Sequence, residues 1–221
     1  MRLIDLSQAI EEDMSVFPSL PRPRITAYVT HAQSLPHYED GTCFEVTRVD
    51  MVTSLGTYLD APYHRHPQRA TIDRLALGQC VLPGVVIDAR SKGPGEAIGA
   101  ADLPEADLGG GAVLFCTGWD RYWRQPAYHQ HPFLSAEAVE ALLVQAPSLV
   151  GIDTLNIDSP QDKTRPAHTR LLGHDILIVE NLCGLEQLLG QPFLFVAAPV
   201  KVRGAAAFPV RAFALANWRQ G

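Results

Sequence analysis

The sequence predicts a mixed α/β fold in which short strands form one curved sheet. Segments typical of strands outnumber segments typical of long helices, and many of the strands have no helix after them. Seventeen prolines and seventeen glycines indicate tight turns between short elements. A doubly wound parallel sheet requires a helix after almost every strand, so the pattern favours a curved mixed sheet. The nine predicted strands are Arg2–Leu6, Thr26–Thr30, Cys43–Val52, Gly84–Asp88, Ala112–Thr117, Leu149–Asp153, Ile176–Val179, Phe193–Ala197 and Val210–Ala216.

The predicted strands are of two kinds. The run 43–52 alternates apolar and polar residues, which predicts a strand with one face in solvent. The runs 85–87 and 176–179 are apolar without interruption, which predicts strands that are covered on both faces.

Three helices are predicted between the strands. Ser135 is a good N-cap for a helix over Ala136–Gln145, which Pro147 ends. Shorter helices are predicted over Asp162–Leu172 and Leu185–Leu189. Because no linker is long enough to separate two units, residues 1–221 are predicted to form a single domain.

Composition excludes several classes of protein. Hydrophobic residues make up 47% of the chain and charged residues 19%, and the net charge is −6. The one small basic cluster, Lys201 and Arg203 with Arg211, is too thin for a nucleic-acid surface, so no nucleic acid partner is expected. No apolar run approaches the ~18 residues of a membrane span, and no signal-peptide pattern is seen. The four cysteines form no CxxC pair, which predicts reduced thiols in a cytoplasmic protein.

The densest group of polar residues follows the third predicted strand, in the segment 53–67. Here Asp60, His64 and His66 lie within seven residues of one another. A turn at Pro62 would let Asp60 and His64 face one cation, with Asp60 as a hard oxygen ligand and His64 as a ligand or general base. The alternative is an aspartate that caps a turn beside a surface histidine.

A second polar group surrounds the seventh predicted strand. Glu180 directly follows four apolar residues, so its carboxylate is expected at the end of a buried strand, where an unpaired charge is costly. It therefore requires a cation, either a metal ion or a distant arginine. His168 begins the same stretch, whereas His174 is expected to cap a turn or lie in solvent.

Together these motifs resemble the cyclase-type metal-dependent hydrolases, a family that includes kynurenine formamidases (arylformamidases) and isatin hydrolase. The family fingerprint H-x-G-T-H-x-D-x-P-x-H aligns with Ser54-Leu55-Gly56-Thr57-Tyr58-Leu59-Asp60-Ala61-Pro62-Tyr63-His64. Further matching segments, in the same order as in the family, are Ile4-Asp5-Leu6-Ser7, Thr117-Gly118-Trp119, Val150-Gly151-Ile152-Asp153-Thr154, Glu180-Asn181-Leu182, Pro199-Val200-Lys201 and Pro209-Val210-Arg211-Ala212.

The resemblance implies a swivelling β/β/α fold, a curved mixed sheet approaching a barrel with helices outside. It also implies that Asp60, His168 and Glu180 bind a metal and that His64 is the catalytic acid or base. Two family histidines that would complete a further metal site are Ser54 and Tyr58 here. A hydroxyl and a neutral phenol are poor ligands, so one divalent metal per chain, Zn²⁺ or Mn²⁺, is expected.

The sequence thus predicts a metal-dependent hydrolase that breaks a C–N bond in a small amide, cyclic amide or imide, or acts on a lactone. In this hypothesis Tyr58 donates a hydrogen bond to the developing oxyanion. A divergent family member that has lost hydrolysis and keeps the pocket for binding or another reaction is the first alternative. A purely structural protein is the second, and it predicts that Asp60, His168 and Glu180 point apart.

The substrate is expected to be a small aromatic or cyclic molecule. Phe17, Ser54, Tyr63 and Trp119 are the predicted pocket residues, although core packing is an equal alternative for Trp119. In related enzymes a segment near the N-terminus can reach the site of a neighbouring subunit. By this likeness Val16-Phe17-Pro18 is expected to do so in a homodimer or homotetramer.

Overall fold

The computed structural model describes residues 2–218 apart from Val16, Pro18 and Ala106. Within these residues the chain forms thirteen strands and three α-helices, connected by loops and 3-10 turns. The strands are β1 Arg2–Asp5, β2 Arg24–Val29, β3 Val46–Asp50, β4 Tyr58–Asp60, β5 Val81–Asp88, β6 Ala97–Ile98, β7 Ala112–Cys116, β8 Phe133–Leu134, β9 Leu149–Ile152, β10 Leu177–Glu180, β11 Phe193–Val196, β12 Ala207–Pro209 and β13 Phe213–Ala216. The helices are α1 His31–Ser34, α2 Ala136–Gln145 and α3 Pro166–Gly173.

Nine of the strands form one mixed sheet in the order β1-β13-β11-β5-β7-β9-β10-β4-β12. The central strands β5, β7, β9 and β10 are parallel, and the strands on either side are antiparallel. The parallel strands β7, β9 and β10 are buried along their whole length, as continuous apolar runs predict. The predicted mixed α/β fold is therefore confirmed.

The connection between β12 and β13 shows that the sheet is strongly curled. These strands are seven positions apart in the sheet, which is ~34 Å if the sheet were flat. Only residues 210–212 join them, and so few residues span at most ~14 Å. A single β-bridge between Ser7, which follows β1, and Leu182, which follows β10, also brings distant strands of the sheet together. The sheet therefore forms a partly closed barrel, in agreement with the curved sheet that was predicted.

The two faces of the sheet pack against different cores. The inner face, which carries Leu59, Val179 and Phe195, surrounds the apolar interior of the curl. The outer face, which carries Ile178, packs against α2 and α3 through residues such as Leu171. Because side chains alternate along a strand, residues 58, 60 and 180 belong to this outer face, on the side of the helices.

The helices agree with the sequence to different degrees. Helix α2 has the predicted bounds, and the Ser135 hydroxyl accepts from the Ala138 N–H as an N-cap. Helix α3 begins at Pro166 rather than at Asp162, since proline is favoured in the first turn. The predicted third helix is a single 3-10 turn, Leu185–Leu188, that starts after Gly184 in the left-handed region. None of the helices in the described residues is long and apolar enough to cross a membrane.

Strands β2 and β3 pair only with each other and form an arm, residues 24–50, outside the main sheet. Strand β3 is exposed on both faces, so the predicted strand with one buried face is wrong for the isolated chain. Four short strands were not predicted: β4, β6, β8 and β12. Runs of two or three residues are too short for an alternating pattern to appear.

His131 is a fully buried histidine next to α2. Its Nδ1–H donates to the Pro132 carbonyl over 2.9 Å, and its Nε2 has no hydrogen-bond partner. Burial lowers the pKa of His131 to about 4, with smaller contributions of the same sign from His129 and Arg165 and an opposing one from the Pro132 hydrogen bond. The ring is therefore neutral in the folded protein at neutral pH.

We predict that His131 contributes to acid unfolding. Unfolding restores its ordinary pKa of 6.5, so the unfolded chain takes up a proton that the folded chain excludes. Stability should fall as the pH decreases from about 6.5 to about 4, by up to about 3 kcal/mol. His131→Asn should flatten the dependence of unfolding free energy on pH in this range, measured by urea titration. His37→Asn, at an exposed position that does not affect the pKa of His131, should keep the wild-type slope; equal slopes for all three proteins would contradict the prediction.

Candidate active site

The site begins with strand β4, which lies between β10 and β12. Its register places Tyr58 opposite Glu180, and Ala207 on the other side opposite Asp60. Leu59, between the two polar residues of the strand, packs into the inner core. This alternation directs the Tyr58 and Asp60 side chains to the outer face of the sheet, where Glu180 also lies.

Asp60 is the most unusual group of the site. It is fully buried, and neither of its carboxylate oxygens has a hydrogen-bond partner. A buried carboxylate without hydrogen bonds costs several kcal/mol unless a cation compensates it. No lysine or arginine in the described part of the chain forms an ion pair with it.

His168 reaches Asp60 and Glu180 from helix α3. Its Nδ1–H donates to Asp158 Oδ2 over 2.7 Å, which directs Nε2 toward the other two carboxylates. Asp158 also accepts from the backbone N–H groups of Ala167 and His168, so one carboxylate fixes both the first turn of the helix and the ring. Burial alone would lower the pKa of His168, but Glu180, Asp158 and Asp60 outweigh it and raise the pKa to about 10.

The three side chains fit the coordination shell of a small cation. His168 Nε2 lies 3.7 Å from Asp60 Oδ2 and 3.5 Å from Glu180 Oε1, and the three ligand atoms are within 4.8 Å of one another. These separations are long for hydrogen bonds. Two ligands of a tetrahedral ion with bonds of ~2.1 Å are ~3.4 Å apart, which is close to the observed distances. The unpartnered Asp60 oxygens and this spacing both agree with a bound cation.

Glu180 is fully buried and held by two hydrogen bonds. The Ile157 N–H donates to Oε1 over 2.7 Å, and the Tyr58 hydroxyl donates to Oε2 in a short hydrogen bond. Burial raises the pKa of Glu180 to about 7, against the opposing effect of His168. Burial and the nearby carboxylates raise the pKa of Tyr58 well above its usual value, so the phenol is neutral.

His64 lies at the open side of the cluster. Its side chain is 34% exposed, and its Nδ1 is 3.5 Å from Asp60 Oδ1. Burial of the ring lowers the pKa of His64 below its usual value, with Asp60 acting in the opposite direction. A neutral imidazole that contacts both solvent and the carboxylate cluster can accept a proton from water.

The predicted pocket residues lie in three places. Ser54 and Phe17 line one small depression, and Phe17 packs against the aromatic cluster that contains buried Trp119. Tyr63 lies in a separate groove, next to His64 in sequence. Of the segment predicted to reach a neighbouring subunit, Val16 and Pro18 lie outside the described residues.

Two further residues were not identified from the sequence as part of the site. Asp158 orients His168, and Asn181 fixes the segment after Glu180 by donating to the Gly56 carbonyl over 2.8 Å and accepting from Tyr128 over 2.9 Å. Asp158 lies eight residues before Pro166, so no local spacing in the sequence marks it as a partner of His168. Two other histidines considered in the sequence analysis lie outside the cluster. His66 donates to the Thr169 carbonyl, and His174 caps α3.

The sequence and fold match known proteins. The profile of the Cyclase family matches residues 4–159, which is more than two thirds of the chain. The chain belongs to this family. A kynurenine formamidase from Erythrobacter litoralis is 31% identical over 164 residues, which cover 74% of each chain.

Two solved structures have a similar fold. One, a potential metal-dependent hydrolase with cyclase activity, has 28% identity and a TM-score of 0.78, with 96% of each chain covered. The other, isatin hydrolase A from Labrenzia aggregata bound to benzyl benzoate, has 22% identity and a TM-score of 0.82, with 96% of this chain and 93% of that chain covered. The expected family is therefore confirmed, as is the expected class, a hydrolase of small amides that acts on C–N bonds.

Proposed function

We propose that this chain hydrolyses a small amide, cyclic amide or imide, or a lactone, with one divalent cation held by Asp60, His168 and Glu180. The observation that carries the proposal is the buried Asp60 carboxylate without any hydrogen bond, next to a histidine that another carboxylate orients. A cation bound there would polarise the substrate carbonyl and lower the pKa of a water molecule. Two carboxylates make the ligand set hard enough for Mn²⁺ as well as Zn²⁺.

The proposal of one metal rests on Tyr58 and Ser54. The neutral Tyr58 phenol donates to Glu180 Oε2 and leaves Oε1 on the side of His168. Ser54 lies in the depression beside Phe17, and its hydroxyl makes no hydrogen bond to Asp60, His168 or Glu180. Neither residue offers the charged or imidazole ligand that a second ion needs.

His64 is proposed as the catalytic acid and base. As a neutral imidazole it takes a proton from the attacking water and delivers it to the leaving nitrogen or oxygen as the bond to the carbonyl carbon breaks. Tyr58 has two candidate roles. Its present hydrogen bond supports orientation of Glu180, and donation to the oxyanion requires that this hydrogen bond be exchanged for one to the substrate.

We also propose that the arm packs against a second copy of the chain, in a homodimer or homotetramer. One face of the arm carries half-buried Ile25 and exposed Val49 as a cross-strand pair, and neither strand of the arm pairs with the main sheet. Tyr28 is 68% exposed and Val49 50% exposed. A two-stranded ribbon is marginal in stability by itself, so exposed apolar side chains on the arm favour a partner surface.

We also propose a cytoplasmic location for the protein. The four cysteines of the chain are free thiols, which supports this location.

The proposed metal site predicts a defined metal content. Protein purified without chelator should contain about one Zn or Mn per chain by elemental analysis, and Asp60→Ala should contain none because it loses a charged ligand. Asp158→Asn should weaken metal binding about 10- to 100-fold, since His168 loses its orienting carboxylate. Asp162→Asn, in the same loop but outside the cluster, should bind as wild type does. About two metals per chain would contradict the one-metal proposal, and none after loading with either ion would overturn the site.

The proposed acid and base role predicts the effect of removing His64. On a panel of N-formyl amides, cyclic imides and lactones, His64→Ala should lower kcat/KM about 100-fold or more with unchanged metal content. Because the pKa of His64 is lowered and its neutral form is the base, wild-type activity should fall with decreasing pH only below about 6.5. Exposed His37→Ala is the control. Full activity of His64→Ala would refute this role, and no turnover by wild type would favour the non-hydrolytic alternative.

The proposed arm interface predicts the mass in solution. Light scattering after gel filtration should give two or four times the chain mass of 24.1 kDa. Val49→Asp should shift the protein toward the monomer, because a buried unpaired charge opposes association. Val144→Asp changes the same residue type at a position that is 87% exposed on α2, and it should leave the mass unchanged. A monomeric wild type would contradict the proposal.

A further inference from the structure

The loop between β9 and α3, residues 153–165, contacts two of the three proposed metal ligands from outside the cluster. The Ile157 N–H donates to Glu180 Oε1 over 2.7 Å. The next residue, Asp158, accepts from His168 Nδ1 over 2.7 Å. The geometry of both ligands therefore depends on where the loop places two consecutive residues.

The side chain of Arg165 holds this loop together. Its Nη1 donates to the Ser159 carbonyl over 3.1 Å and to Asn156 Oδ1 over 3.4 Å. These two acceptors lie on either side of Ile157 and Asp158 in the chain. Asn156 Oδ1 also accepts from the Asp158 N–H over 2.9 Å. The guanidinium group therefore closes the loop around the two residues that contact the ligands.

Arg165 is half-buried, which is unusual for an arginine without a charged partner. Within the part of the chain that the structure describes, it forms no ion pair. Its side-chain hydrogen bonds go to uncharged oxygens of the loop. The guanidinium group therefore stabilises the loop instead of a surface ion pair.

The backbone of Arg165 has an unfavourable conformation. Its φ of 52° and ψ of 62° lie in the left-handed region, which residues other than glycine rarely adopt. Pro166 follows, and a residue before proline favours extended backbone. Glycine at this position would relieve the strain, but it has no side chain that could close the loop. Such strain is retained where the surrounding contacts impose it, often at functional sites.

We propose that Arg165 is a positioning residue for the metal site, because its guanidinium group holds the loop 156–159 in the conformation that directs two of the ligands. It acts through the Ile157 N–H and the Asp158 carboxylate, and it donates no hydrogen bond to a ligand itself. This inference rests on the proposed metal site and adds a residue that determines its affinity.

The test separates the guanidinium group from the strained backbone. Arg165→Ala removes the guanidinium group and keeps the strain, whereas Arg165→Gly removes the guanidinium group and relieves the strain. Both variants should bind Zn²⁺ or Mn²⁺ about 10-fold more weakly than wild type, measured in competition with a chelator of known affinity. In the metal-free proteins, the urea midpoint of Arg165→Gly should lie above that of Arg165→Ala. Metal affinity would then follow the guanidinium group and not the stability of the fold.

Arg124→Gly is the matched control. Arg124 is another arginine in the left-handed region, with a φ of 63°, and it forms an ion pair with Glu11 outside the loop. This variant makes the same change of residue and backbone at a different place, and it should keep the metal affinity of wild type. Wild-type affinity in Arg165→Gly would overturn the inference. Metal affinities that follow the urea midpoints of the three variants would also overturn it.

A measurement without metal distinguishes failure of this inference from failure of the metal site. In metal-free wild type, the charge-assisted hydrogen bond from His168 Nδ1–H to Asp158 should give a far-downfield proton resonance, assigned by its loss in His168→Gln. The resonance should broaden or disappear in both Arg165 variants and persist in Arg124→Gly. Binding of neither ion by wild type would contradict the metal site alone. An unchanged resonance in the Arg165 variants, or its absence in wild type, would overturn the positioning role.

Discussion

The candidate site depends on the pairing of the three-residue strand β4 between β10 and β12. This pairing places Tyr58 directly opposite Glu180 and puts Asp60 two residues further along the same face. A shift of one residue would direct Leu59 to the helices and the Asp60 carboxylate into the apolar interior of the curled sheet. The register that buries Leu59 is therefore also the register that assembles the acidic pair.

Helix α3 adds the histidine to this acidic pair, and Asp158 controls its position. Asp158 accepts from the Ala167 N–H and from His168 Nδ1, so the start of the helix and the direction of the ring depend on one side chain. The left-handed backbone at Arg165 and the proline after it set where the helix begins. The hydrogen bonds of Asp158 therefore fix both the start of helix α3 and the orientation of His168 in the site.

Much of the fold and of the site could be predicted from the sequence, for identifiable reasons. Helix α2 and strands such as β7 have long, clear patterns, and Glu180 is conspicuous as an acid directly after an apolar run. Strand β4 could not be predicted as a strand, because three residues have no periodicity and its pairing partners are distant in sequence. Asp158 and the Tyr58–Glu180 hydrogen bond share this limit, since each joins residues whose contact is decided by the tertiary fold.

The chain has a net charge of −6, and its charged residues are unevenly distributed around the site. Asp60, Glu180 and Asp158 bring three buried carboxylates to one histidine, and such a cluster attracts a divalent cation. The groove that begins at Tyr63 is lined by an excess of arginine. An anionic substrate would be repelled by the bare carboxylates. A cation held by Asp60, His168 and Glu180 would lower that repulsion. The two groups of charge therefore lie in separate places: the carboxylates are in the buried cluster, and the arginines line a groove that contains none of the cluster residues.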